Sequence, residues 1–109
     1  MPATTVNIKS GAYSAQAVEP LGLPGVARQL SAGAASANTA LTANITRISI
    51  RAVGADIRYS IGATAQTATA TSHFIANGER LDVAVPLNAN IAVLRNATTS
   101  GTLEVTELV

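Results

Sequence analysis

From residue 47 onward, apolar and polar side chains alternate with a period of two, and this pattern limits the fold more than any other feature of the chain. Ile48, Ile50 and Ala52 alternate with Arg47, Ser49 and Arg51. Ile57, Tyr59 and Ile61 alternate with Arg58 and Ser60, and Leu81, Val83 and Val85 with Arg80, Asp82 and Ala84. Successive side chains of a strand point to opposite faces, so each run buries one face and wets the other. Ile91-Ala92-Val93-Leu94 is more continuously apolar, as a central strand is. Leu103 and Val105 alternate with Thr102, Glu104 and Thr106 in a last strand.

Turn signals separate these runs. Gly54-Ala55-Asp56 reads as a turn that joins the first two runs into a hairpin. Asn77-Gly78 is a turn in which both residues tolerate positive φ. Pro86 ends the third run because it has no N–H for a ladder. Leu87 to Asn90 forms a turn, and Asn96 to Gly101 a polar loop. The Ala/Thr stretch from Gly62 to Ser72 reads as an edge strand or a long loop ending at His73-Phe74-Ile75.

Residues 1–46 have a different character, rich in Ala, Ser, Thr, Gly and Pro. Short extended pieces are expected at Thr5 to Lys9, Ala12 to Val18 and Val26 to Leu30. Glu19 to Gly25 is broken up by Pro and Gly, so a turn-rich loop or extended arm is expected there. Ser31 to Asn38 reads as loop, since Gly33 and the serines disfavour a helix. The fold class that follows is all-β: an antiparallel sandwich or barrel of roughly seven or eight short strands. The 109 residues form a single domain, 47–109 supplying core strands and 1–46 a loosely specified half with an extended N-terminal arm.

The aromatic content is 3%, all of it Tyr13, Tyr59 and Phe74, and the last two are expected in the core. Each large aromatic buries ~150–250 Å², so a chain with so few has a thin core. Small domains with thin cores recover stability by associating, which predicts a homo-oligomer or a subunit of a larger assembly. Charged residues make up 12% and the net charge is +1, with no basic patch, so nucleic acid is not expected as a partner. With no cysteine, disulfides and thiolate metal sites are excluded. No secretory leader is legible at Met1-Pro2-Ala3, and no apolar run approaches the ~20 residues of a spanning helix, so no membrane association is expected.

The residues do not assemble a catalytic signature. His73 is the one histidine, and a zinc site without cysteine needs more ligands than it offers; an ordinary hydrogen bond at a strand end is the expected role. Asp82 and Glu104 both fall on outward faces, where they form either a carboxylate pair or part of a solvated face carrying cross-strand pairs with Arg51 or Arg58. Ser72 and His73 are consecutive on a strand and so face apart, a poor geometry for a nucleophile and its base. No catalytic, cofactor-binding or metal-binding residue is assigned, and the chain is expected not to be an enzyme.

Two stretches carry a likeness to a known group. The first is Arg47-Ile48-Ser49-Ile50-Arg51 through Ile57-Arg58-Tyr59-Ser60-Ile61-Gly62. The second comprises Ser72-His73-Phe74-Ile75, Asn77-Gly78-Glu79-Arg80-Leu81-Asp82-Val83, Ile91-Ala92-Val93-Leu94-Arg95 and Gly101-Thr102-Leu103-Glu104-Val105-Thr106-Glu107. In the order of these motifs the chain resembles small β-rich virion structural proteins of tailed double-stranded DNA bacteriophages. The resemblance implies a capsid decoration or cement subunit that binds and stabilises the shell. Its implied partners are the major capsid protein or other virion proteins. Its implied location is the virion, after synthesis in the host cytoplasm. The expected contact arm is Val18, Pro20, Leu21, Leu23, Pro24, Val26 and Leu30. The alternative is a receptor- or glycan-binding module of a phage tail or fibre tip.

Overall fold

A computed structural model describes residues 22–109, which hold eight strands: β1 (Pro24–Ala32), β2 (Ala37–Ala40), β3 (Arg47–Val53), β4 (Ile57–Gly62), β5 (His73–Ile75), β6 (Arg80–Ala84), β7 (Asn90–Arg95) and β8 (Gly101–Leu108). They form two four-stranded sheets, ordered β1-β8-β3-β6 and β2-β7-β4-β5, with every neighbouring pair antiparallel. The chain is an all-β sandwich, and its strand order is that of an eight-stranded jelly roll. The pieces expected at Thr5 to Lys9 and Ala12 to Val18 lie outside the described residues.

The hairpin expected between Arg47 to Ala52 and Ile57 to Ile61 does not form. β3 and β4 lie in opposite sheets, and each pairs with a strand from far along the chain. Alternation makes one face of each strand apolar, which a hairpin and a crossover satisfy equally well when both faces meet in one core. Every connection but that from β4 to β5 crosses between the sheets.

Two of these crossovers hold each other in place. Gly54, at φ 91°, turns the chain after β3, and Gly78, at φ 84°, turns it after β5. Of the two turn residues that tolerate positive φ, Gly78 adopts it and Asn77 does not. Its side chain acts as a staple instead. Its Oδ1 accepts from the Gly54 backbone N–H at 2.9 Å, and the Asn77 backbone N–H donates to Asp56 Oδ1 at 2.7 Å. The Gly78 amide donates to the Ala52 carbonyl at 2.8 Å, closing the two turns into one hydrogen-bonded corner.

The core is the one the alternation predicts. Ile48, Ile50 and Ala52 of β3 face Ile57 and Tyr59 of β4 and Ile91 and Val93 of β7, with Leu103 and Val105 of β8 beside them, all buried. Burying a Val, Leu or Ile fully is worth ~1.5–3 kcal/mol, and these residues supply most of the cohesion between the sheets. Tyr59 is buried as expected. Phe74 is not: it is 42% exposed. In β5 the inward position goes to Ile75, which turns Phe74 to the outer face, where the Arg58 guanidinium sits 4.8 Å above its ring.

Residues 31–38 are also more ordered than the loop expected there. Ser31 and Ala32 complete β1, Ala37 and Asn38 begin β2, and only the four residues between are loop. The Ala/Thr stretch after Gly62 is the long loop of the two options, and it lies across the outer face of the second sheet. Asn38, Ala92 and Ser60 are neighbours in register across β2, β7 and β4. Gln66 reaches both flanks: its backbone N–H donates to Asn38 Oδ1 at 2.9 Å, and its side-chain Oε1 accepts from Ser60 Oγ at 2.7 Å. It thereby spans Ala92, which is fully buried although it points away from the core. Gly62 permits this approach, since a Cβ there would lie 2.4 Å from Gln66 Nε2.

Candidate protein-contact surface

The expected contact arm divides in the structure. Val18, Pro20 and Leu21 lie outside the described residues. From Pro24 the chain is not an arm but β1, a nine-residue edge strand paired along β8. The Pro and Gly that suggested a loop are absorbed by an irregularity: the register shifts between Pro24 and Ala27. Leu30 leaves the contact set, since it is half-buried and packs against the core. Pro24 opens the strand opposite Leu108 and is exposed.

Leu23 and Val26 stay in solvent, 68% and 44% exposed, and they have an apolar neighbour that sequence reading missed. Val109 is 62% exposed, and its backbone exchanges two hydrogen bonds with Leu23, of 3.0 and 2.8 Å. Gly25 lies against the same residue, for a Cβ there would meet Val109 Cγ1 at 3.1 Å. Leu23, Val26 and Val109 therefore make an apolar corner at the start of β1. Nothing in a linear reading joins residues so far apart; only the β1–β8 pairing does.

β1 also differs from the other sheet edges. β2 and β5 are four and three residues long, and β6 carries Arg80 and Asp82. Short or charged edges resist further pairing. The single charge on β1, Arg28, is turned inward. Its Nε lies 3.0 Å from Glu107 Oε2, and its Nη2 donates to Thr42 Oγ1 at 3.2 Å. The Thr42 amide donates to the same Glu107 oxygen at 3.0 Å. Glu107 is 1% exposed. Burial alone would push its carboxyl up, but the Thr42 and Arg28 hydrogen bonds and the Arg28 charge outweigh that and hold it below its ordinary value. The signal for this residue was present: Leu103, Val105 and Glu107 share one parity, so Glu107 falls on the inner face.

The outer face of the β1-β8-β3-β6 sheet is an open trough of about 610 Å³, lined chiefly by Ser49, Arg51, Arg80, Asp82, Glu104 and Thr106. Asp82 and Glu104 do not form a close carboxylate pair. They belong to β6 and β8, with β3 between them, opposite Ser49 and Arg51 respectively. Asp82 lies 4.0 Å from Arg80 Nε, and Glu104 Oε1 accepts from Gln29 Nε2 at 3.3 Å. Arg51 stands across from Glu104, whereas Arg58 belongs to the other sheet, where it donates to Asn96 Oδ1 and the Ser72 carbonyl.

His73 sits exposed on β5, its ring centroid 5.4 Å from that of Tyr59. Among the described residues its side chain makes this ring contact and not the hydrogen bond expected of it. Burial, and then the charge of Glu79, raise the Tyr59 hydroxyl above its ordinary value. Ser72 is engaged elsewhere: its Oγ accepts from the Thr69 amide at 2.9 Å. Among the described residues, no three of His, Cys, Asp and Glu come together as a metal site. No described helix is long and apolar enough to cross a membrane.

No family model matches the chain, and no curated protein does. Among solved structures it is similar to the crystal structure of PirA, at 14% identity over 74% of this chain and 92% of that one, with a TM-score of 0.48. A likeness of that size carries no argument about function.

Proposed function

We propose that this chain is a non-enzymatic structural subunit of a tailed-phage virion, a decoration or cement protein that attaches to the capsid shell. The observation that carries the proposal is the apolar corner of Leu23, Val26 and Val109 at the mouth of the one long edge strand among the described residues. Exposed apolar side chains grouped at a sheet edge are suited to protein contact, and a neighbouring chain can extend such an edge by strand pairing. The jelly-roll strand order is compatible with the role, since capsid proteins use that fold, although lectins and enzymes use it as well. The same corner is the proposed surface for association between copies.

Cosedimentation of the purified protein with empty phage shells tests the role. Saturable binding at a copy number matching the shell lattice is expected, with loss of binding when Leu23 and Val26 are both replaced by Ser. Absence of binding to the shell removes the proposal.

A second reading, a receptor- or glycan-binding module of a tail or fibre tip, is favoured by a different observation. The outer trough gathers arginine, carboxylate and hydroxyl groups on one open face. Such a module binds to tails or to host surface glycans, not to shells, so the same sedimentation experiment separates the two.

A further inference from the structure

We infer that the outer trough of the β1-β8-β3-β6 sheet is a site for an acidic sugar, with its carboxylate held by Arg51 and Arg80. The inference deepens the second reading above and rests on it.

Arg51 and Arg80 are direct partners across β3 and β6. Like charges placed opposite each other destabilise an antiparallel pair, so an anion between them relieves a cost already built into the sheet. The neighbouring carboxylates meet that need only in part: Glu104 stands opposite Arg51 but is held by Gln29, and Asp82 lies at the limit of ion-pair distance from Arg80, 4.0 Å from its Nε. Arg80 is oriented by its bond from Nε to Ser49 Oγ, at 2.9 Å. Arg51, exposed on the floor of the trough, forms no side-chain hydrogen bond or ion pair among the described residues. A guanidinium so placed is suited to a planar carboxylate, which it binds with two parallel N–H···O bonds.

The rest of the trough selects the class of anion. Its two arginines are balanced by Asp82 and Glu104, so its lining has no excess positive charge to hold a polyanion. A ligand with one carboxylate and several hydroxyls fits better. Asp82 and Glu104 can accept from hydroxyls, and Ser49 and Thr106 add hydroxyls of their own. Pro24, Val53 and Leu108 supply apolar lining for the C–H face of a sugar ring. A volume of about 610 Å³ is of small-ligand size.

The test is an NMR titration of the isotope-labelled full chain with a glucuronic acid disaccharide, the matching neutral glucose disaccharide and sodium sulfate. The acidic disaccharide should give saturable shifts on β3, β6 and β8. Arg51→Gln should weaken its binding at least tenfold, and Arg95→Gln, in the other sheet, should not. The amide spectrum of each variant reports its fold in the same experiment. Equal binding of the neutral disaccharide, unaffected by Arg51→Gln, overturns this inference and leaves the glycan-binding reading standing. Sulfate binding as tightly as the acidic disaccharide overturns it too, by reducing the site to a simple anion site. Absence of binding by either disaccharide overturns both.

Discussion

Glu107 Oε2 lies 3.0 Å from Arg28 Nε, and this ion pair ties the long edge strand to the strand beside it from the inside of the sandwich. Arg28 would otherwise present a charge on β1. Engaged with Glu107 and Thr42, it leaves the edge with apolar and neutral groups.

Arg28→Ala leaves Glu107 buried without its cation. Removing one partner of a buried pair costs about 3–5 kcal/mol, and because Arg28 keeps some contact with water, a loss near the lower end, about 3 kcal/mol, is expected at pH 7. The loss depends on pH. The Glu107 carboxyl in the folded chain titrates below its ordinary value near 4.5, so its stabilising effect is complete above that value and disappears as pH falls through the lowered one. Urea unfolding of the native and variant proteins should show a gap at pH 7 that narrows below pH 4.5.

The Gly62–Gln66 contact gives a coupled pair. Gly62→Ala drives a Cβ into Gln66 Nε2, the movable end of a side chain, and displaces it from Ser60. A hydrogen bond of this kind is worth about 1 kcal/mol, which is the expected loss. In a Gln66→Ala background Gly62→Ala should be nearly neutral, and a double-mutant cycle by thermal unfolding measures the difference. Additive effects would mean that Gln66 does not hold the loop over the sheet.

Gly33 and Gly78 should respond differently to alanine. A Cβ added at Gly33 or at Gly78 would meet no atom within 4 Å, so backbone conformation alone decides the outcome. At Gly78, φ is 84°, and alanine should cost about 1–2 kcal/mol. Gly33 does not have a positive φ, and alanine there should be neutral or stabilise by up to about 1 kcal/mol through the unfolded chain. Chemical denaturation of both variants checks the contrast.

Much of this arrangement is legible in the sequence, because burial within one strand depends only on its own parity. Ile48, Ile50, Ile57, Tyr59, Leu103 and Val105 all face inward as their spacing requires. Pairing partners are not local information. The turn at Gly54 looks the same whether the chain reverses within a sheet or crosses to the other, and so β3 and β4 read as a hairpin. Phe74 misleads for a related reason: a three-residue strand has too few positions to fix its parity, and hydrophobicity alone places Phe inside. In the candidate surface, Leu23 and Val26 are legible as exposed apolar residues of an extended stretch. Val109 joins them only through pairing, and the facing of Arg51 and Arg80 depends on the β3–β6 register, which no local pattern encodes.

The apolar corner should be separable from the fold. Leu23, Val26 and Val109 are exposed, and exposed substitutions usually change stability by no more than about 0.5 kcal/mol. The double replacement of Leu23 and Val26 by Ser should therefore unfold at nearly the native temperature. If the same corner joins copies of the chain, light scattering should show a smaller species than the native protein does.

Electron cryomicroscopy of empty phage shells saturated with the purified chain goes furthest toward the central claim. We expect added density in lattice register over the whole shell, with each sandwich oriented so that Leu23 and Val26 meet the shell surface, and no such density for the Ser double variant. Bare shells, or density confined to a tail or portal vertex, would contradict it.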